Sequence, residues 1–134
     1  MFLLDTNICI LIIKNKYENV LKHLKKNINK GLHISSITLA ELEFGIDNAN
    51  PEYYSRNRIA LIEFLTLFKI MNFDENASKE YGKIKKYLKD RKCLIEPFDM
   101  LIGAHAKSLK MTLVTNNTKE FEKINELKIE DWTK

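Results

Sequence analysis

Five short apolar runs, at residues 2–4, 32–34, 70–71, 111–115 and 127–129, alternate with longer segments whose apolar residues recur at helical spacing. Runs this short and this continuously apolar suit strands covered on both faces. Parallel neighbours require a long crossover between them, and a helix between successive strands supplies it. The pattern predicts an α/β fold, a three-layer α/β/α sandwich around a central, mostly parallel sheet. In such sheets ligands bind beyond the carboxyl ends of the strands. Asp5 follows the first run directly and Asn116-Asn117 follow the fourth, so both are expected on that rim.

The intervening segments carry helix signals. Thr6 or Asn7 can cap a first helix, and Tyr17, Val20, Leu21, Leu24 and Ile28 form the stripe of a second. Ser35 or Ser36 starts a third through Leu39, Leu42 and Phe44 towards Asn48. Pro51 opens a fourth, carrying Ile59, Ile62, Phe64, Leu65 and Phe68. Asp74 caps a fifth with Ala77, Tyr81, Ile84 and Leu88 on one face. Pro97 begins a sixth that is apolar almost all round from Met100 to Ala106, hence buried. A short helix is expected over 118–121.

With four Gly and two Pro in 134 residues there is no linker, repeat or low-complexity tract, and residues 1–134 are read as one domain. The apolar run at 8–13 is far short of the ~20 residues that cross a bilayer, and Asp5 interrupts the opening apolar residues too early for a signal peptide. A cytoplasmic protein without membrane contact is the expectation. Cys9 and Cys93 lack metal-finger spacing, and Cys9, inside an apolar run, reads as a buried small hydrophobe.

Net charge is +4 but unevenly spread. Residues 14–30 and 79–92 each carry a net +5, and residues 31–50 a net −3. Basic segments beside acidic residues suit an enzyme that attracts a polyanion and holds a cation at the reacting bond. Solvated helix faces account for such lysines equally well. Lys22, Lys25, Lys26, Lys83, Lys85, Lys86 and Lys89 are the candidates for phosphate contact.

Three carboxylates stand out. Asp5, at a strand exit, needs a helix to cap, a cation to pair with, or a metal to bind. Asp99 lies in the first turn of the most apolar helix, where the helix dipole favours it by about 0.3–1 kcal/mol; Pro97 already starts that helix, so Asp99 is not required as its cap. Glu41 sits between apolar residues, on roughly one face with Ile37 and Phe44, and no Lys or Arg is near it in sequence. Glu43 points elsewhere, into solvent. Glu96 reads either as a loop acid or as an accessory site acid. His105 reads as a satisfied core or supporting group. Nucleotide-binding glycine loops, a Walker loop and a serine-nucleophile elbow are all absent, and Asn7 stands where a phosphoaspartyl phosphatase needs a second acid.

In combination, Leu4-Asp5-Thr6-Asn7, Ser35 to Glu41 with Gly45, Pro97-Phe98-Asp99 with Ile102 and Ala104-His105-Ala106, and residues 113–121 resemble the PIN domain. More narrowly, they resemble the VapC toxins of type II toxin–antitoxin systems, over essentially the whole chain to Asp131-Trp132. The resemblance implies an endoribonuclease dependent on Mg²⁺ or Mn²⁺, with Asp5, Glu41 and Asp99 as catalytic acids and Asp5 and Asp99 as metal ligands. It also implies a VapB-type antitoxin that wraps the toxin and reaches into the acidic pocket, and an RNA substrate, in this subfamily a tRNA anticodon stem-loop. The family's fourth acidic position falls at Asn117, which brings no charge. Thr6, Asn7, Thr115, Asn116 and Asn117 are placed around the acids as supporting groups, with Thr6 and Asn7 orienting Asp5 or a bound water. A non-catalytic PIN-like module binding RNA or protein through the same groove is the alternative. The apolar faces between Tyr53 and Phe68 exceed what one domain must bury, and a homodimer is expected from them.

Overall fold

The computed structural model describes residues 1–134. Its strands are β1 (Phe2–Leu4), β2 (Leu32–Ser35), β3 (Lys69–Met71), β4 (Thr112–Val114) and β5 (Ile129–Glu130), hydrogen-bonded in the order β3-β2-β1-β4-β5. Every neighbouring pair is parallel, so the sheet is wholly rather than mostly parallel. The last strand lies slightly beyond the expected 127–129, because Ile129 and Glu130 are the residues in register with Leu113 and Val114.

Side chains alternate across the sheet and each face meets its own helices. Leu4, Ile34 and Val114 pack into a core with residues of α1 (Thr6–Lys14), α2 (Glu18–Asn27), α3 (Ser36–Asn48) and α4 (Tyr54–Leu65). Leu3 and Leu113 point the other way, towards α5 (Glu75–Asp90), α6 (Pro97–Leu109) and the short α7 (Thr118–Phe121). The three-layer sandwich follows directly. No helix is long and apolar enough to cross a membrane.

Local sequence explains where the helices begin. Ser35 caps α3 by accepting the Ile37 N–H, and Asp74 caps α5 by accepting the Ala77 N–H. Asp5 itself caps α1, its side chain accepting the Ile8 N–H; neither Thr6 nor Asn7 does so, because the chain already turns helical at Thr6. The segment opened by Pro51 starts as a single 3-10 turn, Pro51–Tyr53, and becomes α-helical only at Tyr54. Helix α6 is buried as expected, and a Cβ at Gly103 would fall 2.5 Å from the Ile124 side chain, so glycine there permits the close approach.

Chain order sets the location of the cleft. From β1 the chain builds outward through β2 and β3, then returns to the other side of β1 for β4 and β5. The reversal lies between β1 and β4, where the loops leaving the two strands diverge and leave a crevice at their carboxyl ends. Asp5 leaves β1 there, and Thr115 leaves β4.

The closing segment is tied to this frame by Trp132, which is fully buried. Its ring meets Phe2 edge-on at 5.5 Å between centroids and stacks on His23 at 5.8 Å, and its Nε1–H donates to Glu130 at 3.0 Å. Trp132→Ala is expected to lower unfolding free energy by about 3–5 kcal/mol. Urea titration followed by circular dichroism checks this; a loss below about 1 kcal/mol would show that the segment is dispensable to the core.

Candidate active site

The β1/β4 crevice opens into a cleft of about 750 Å³ lined by Asp5, Thr6, Asn7, Ile10, Ala40, Glu41, Phe44, Glu96, Phe98 and Asp99. Asp5 forms its floor. It is 3% exposed, and one carboxylate oxygen accepts the Ile8 N–H at 2.9 Å. Burial pushes its pKa up to about 6, with the charges of Glu41 and Asp131 adding to the rise; the Thr115 hydroxyl and the Ile8 N–H act in the opposite sense.

Asp99 reaches the same cleft from the first turn of α6. Its pKa is also pushed up to about 6, first by burial and then by the charges of Glu96, Asp5 and Glu41. The Asn117 side-chain amide donates to Asp99 at 3.4 Å and lowers the value somewhat. The amide nitrogen, not its oxygen, is thus turned towards the carboxylate. Glu96, read from sequence as a loop acid or an accessory site acid, precedes α6 directly. It caps α6 by accepting the Asp99 N–H at 3.1 Å, and it lines the cleft.

Glu41 comes from α3. The Thr6 hydroxyl donates to its Oε1 at 2.6 Å, so Thr6 orients Glu41 rather than Asp5, and Thr38 lies next to that hydroxyl at 3.3 Å. Glu43, expected in solvent, instead makes a two-pronged pair with Arg58, each contact 2.8 Å. None of the six ion pairs includes Asp5, Glu41, Glu96 or Asp99. Charge in the cleft is therefore left uncompensated by the protein.

Two supports lie behind the acids. Buried Thr115 accepts the Asn117 N–H at 2.9 Å, holding the loop after β4. Buried His105 of α6 stands 2.8 Å from the Ser35 hydroxyl, which caps α3. That contact joins the helix of Asp99 to the helix of Glu41. Burial lowers the His105 pKa, keeping the ring neutral.

The other expected residues divide. Asn7 lines the cleft without a side-chain hydrogen bond, while exposed Asn116 is not part of the lining. Lys22, Lys25, Lys26, Lys83, Lys85, Lys86 and Lys89 lie on α2 and α5, and none reaches the cleft. Lys22, Lys83 and Lys86 are engaged with Glu18, Glu80 and Asp90. Sequence reasoning passed over Asp131, whose charge bears on Asp5. It follows β5 as Asp5 follows β1, and that strand-exit position was the available signal.

No three Asp, Glu, His or Cys side chains stand close enough to form a closed metal cage. Mg²⁺ does not need one, since it keeps several waters and is commonly held by one or two carboxylates. Asp5 and Asp99 fit that requirement as hard, uncompensated oxygen donors on one cleft.

The sequence profile of the PIN domain matches residues 2–127. The chain belongs to the PIN-domain family. It is 40% identical over 134 residues, covering 98% of each chain, to a tRNA(fMet)-specific endonuclease VapC of Shigella flexneri. It is 36% identical to ribonuclease VapC2 of Rickettsia felis, over 100% of this chain and 99% of the relative. The fold superimposes on DNA-bound VapBC from Salmonella typhimurium with a TM-score of 0.91, at 37% identity over 98% of this chain and 97% of the other. VapBC2 of Rickettsia felis, bound to a promoter DNA fragment, gives 0.91 at 32% identity, over 98% of each. Within the family, its place is among the VapC-type ribonuclease toxins.

The raised carboxylates carry a stability consequence. Between pH 4 and 6 the folded chain holds more protons on Asp5 and Asp99 than the unfolded chain does, so stability from these groups falls as pH rises through about 6. Asp5→Asn removes one charge yet keeps a cap, because an asparagine oxygen also accepts the Ile8 N–H. In EDTA at pH 7.5 it is expected to stabilise the protein by about 1–3 kcal/mol, with little effect near pH 4.5. Thermal melts at the two pH values check this; a lower Tm at pH 7.5 would mean that the Asp5 charge is compensated.

Proposed function

We propose that the chain is a Mg²⁺-dependent endoribonuclease, with Mn²⁺ able to substitute, that cleaves a tRNA in its anticodon stem-loop. The observation that carries this reading is the meeting of Asp5, Glu41 and Asp99, from three separated segments, on one cleft with no protein cation to neutralise them. The tRNA substrate is drawn from relatives named as tRNA(fMet)-specific endonucleases, so an initiator tRNA is the first candidate.

Asp5 and Asp99 would hold the metal, which supplies Lewis-acid stabilisation of phosphate charge and lowers the pKa of a water. Glu41, kept in place by Thr6, takes the proton of the attacking water. Asn117 and Glu96 hold Asp99, Asn117 through its side-chain amide and Glu96 through the backbone N–H. Neutral His105 keeps α6 and α3 in register and exchanges no proton with substrate. Lysines of α2 and α5 supply long-range attraction for the RNA backbone.

Residues 1–134 act as one domain in this reading. A VapB-type antitoxin restrains the enzyme, as the VapBC complexes among its structural relatives suggest. Exposed Ile59 and Ile62 on α4, with Leu67 beyond it, offer a surface for a homodimer.

Purified protein incubated with initiator tRNA and Mg²⁺ is expected to yield discrete fragments, with EDTA abolishing them. Glu41→Gln should lower the rate about 10²–10⁴-fold. Mg²⁺ should raise the Tm of wild type by mass action on the folded state, and Asp99→Asn should lose both that rise and cleavage. Undiminished cutting by Asp99→Asn, or in EDTA, would overturn the proposal.

A further inference from the structure

Two phenylalanines stand on the walls of the carboxylate cleft. Phe44, one helical turn beyond Glu41 on α3, is 66% exposed, and Phe98, next to Asp99 at the start of α6, is 46% exposed. Neither belongs to an apolar core, and neither is in an aromatic pair. Exposed Tyr53 and Tyr54, by contrast, lie beneath the guanidinium groups of Arg56 and Arg58. Folding therefore accounts for the tyrosines but not for Phe44 and Phe98.

Their position narrows what they can meet. A phosphodiester seated at Asp5 and Asp99 brings a nucleoside on each side, and those nucleosides must lie against the cleft walls. The lining holds no Lys or Arg, so attraction of the RNA backbone does not arise there. Of the residues on the lining, only Phe44 and Phe98 present an aromatic face. Bases within a helix are already stacked and paired, whereas those of a loop can splay out onto an aromatic ring. We infer that Phe44 and Phe98 form a base-stacking subsite for the nucleotides flanking the scissile phosphate, which makes the cleft selective for unpaired RNA. This rests on the ribonuclease reading above and deepens it.

The test compares a labelled hairpin, the anticodon stem-loop of initiator tRNA with its unpaired loop, with the same strand annealed into a full duplex. Wild type should cut the hairpin and spare the duplex. Phe44→Ala, Phe98→Ala, Phe44→Leu and Phe98→Leu should each raise KM for the hairpin about tenfold, with kcat within about twofold and the Mg²⁺-induced rise in Tm intact. Phe98→Tyr should retain wild-type KM, since leucine restores apolar volume but only an aromatic ring restores the stacking face. In an Asp5→Asn background, the fluorescence of a Phe98→Trp variant should be quenched by the hairpin and not by the duplex; Trp132 is buried and contributes a constant signal. Leucine variants with wild-type KM, equal cutting of hairpin and duplex, or an unquenched signal from the Phe98→Trp variant would overturn the inference; unchanged kinetics would assign the rings to a protein partner. Wild type that cuts neither this stem-loop nor the duplex would overturn the anticodon stem-loop reading, while the quench, which needs no cleavage, still decides the stacking subsite.

Discussion

Two carboxyl groups whose pKa burial raises to about 6 share one cleft beyond the carboxyl ends of the central strands, and no lysine or arginine neutralises them. At neutral pH both are ionised against the preference of their surroundings. The fold must therefore hold them in place by other means. It does so with two apolar cores, one on each face of the sheet, with the Ile8 N–H donating to Asp5, and with the Asn117 amide donating to Asp99. Strain of this kind is expected where a site is built to receive a cation or its substrate, because the site gives up stability for function.

Helix starts do much of the positioning. Asp5 is at once a cap and a cleft carboxylate, which ties its orientation to the first turn of α1. Glu96 caps α6 and so sets the backbone of Asp99. Ser35 caps α3 and meets His105, linking the helices that carry Glu41 and Asp99. The separation of the acids thus depends on hydrogen bonds made at the starts of the helices that carry them.

Asn117 stands beside Asp99 without adding a charge to the site. Its amide donates to Asp99, whereas an aspartate there would add a fourth repelling charge to those already raising the Asp99 pKa. Glu96 also stands on the cleft, so the lining contains four acidic residues: Asp5, Glu41, Glu96 and Asp99. Two of the four, Glu96 and Asp99, lie at the start of α6.

Much of this architecture was legible in the sequence. Short apolar strands alternating with helical stripes dictated the parallel sandwich, because burial on both faces and the need for crossovers are local properties of the pattern. Asp5 and Asp99 were legible as ionisable exceptions in apolar surroundings, at a strand exit and in the first turn of a buried helix, although Asp5 also serves as the cap of α1. What the tertiary structure decided were relations between distant segments. Thr6 turned out to serve Glu41, Arg58 claimed Glu43, Asp131 came within electrostatic reach of Asp5, and Phe44 and Phe98 came to line one cleft. Periodicity reports which face of an element is buried; it carries no information about which other element that face will meet, and these contacts arise only when the strand order brings the elements together.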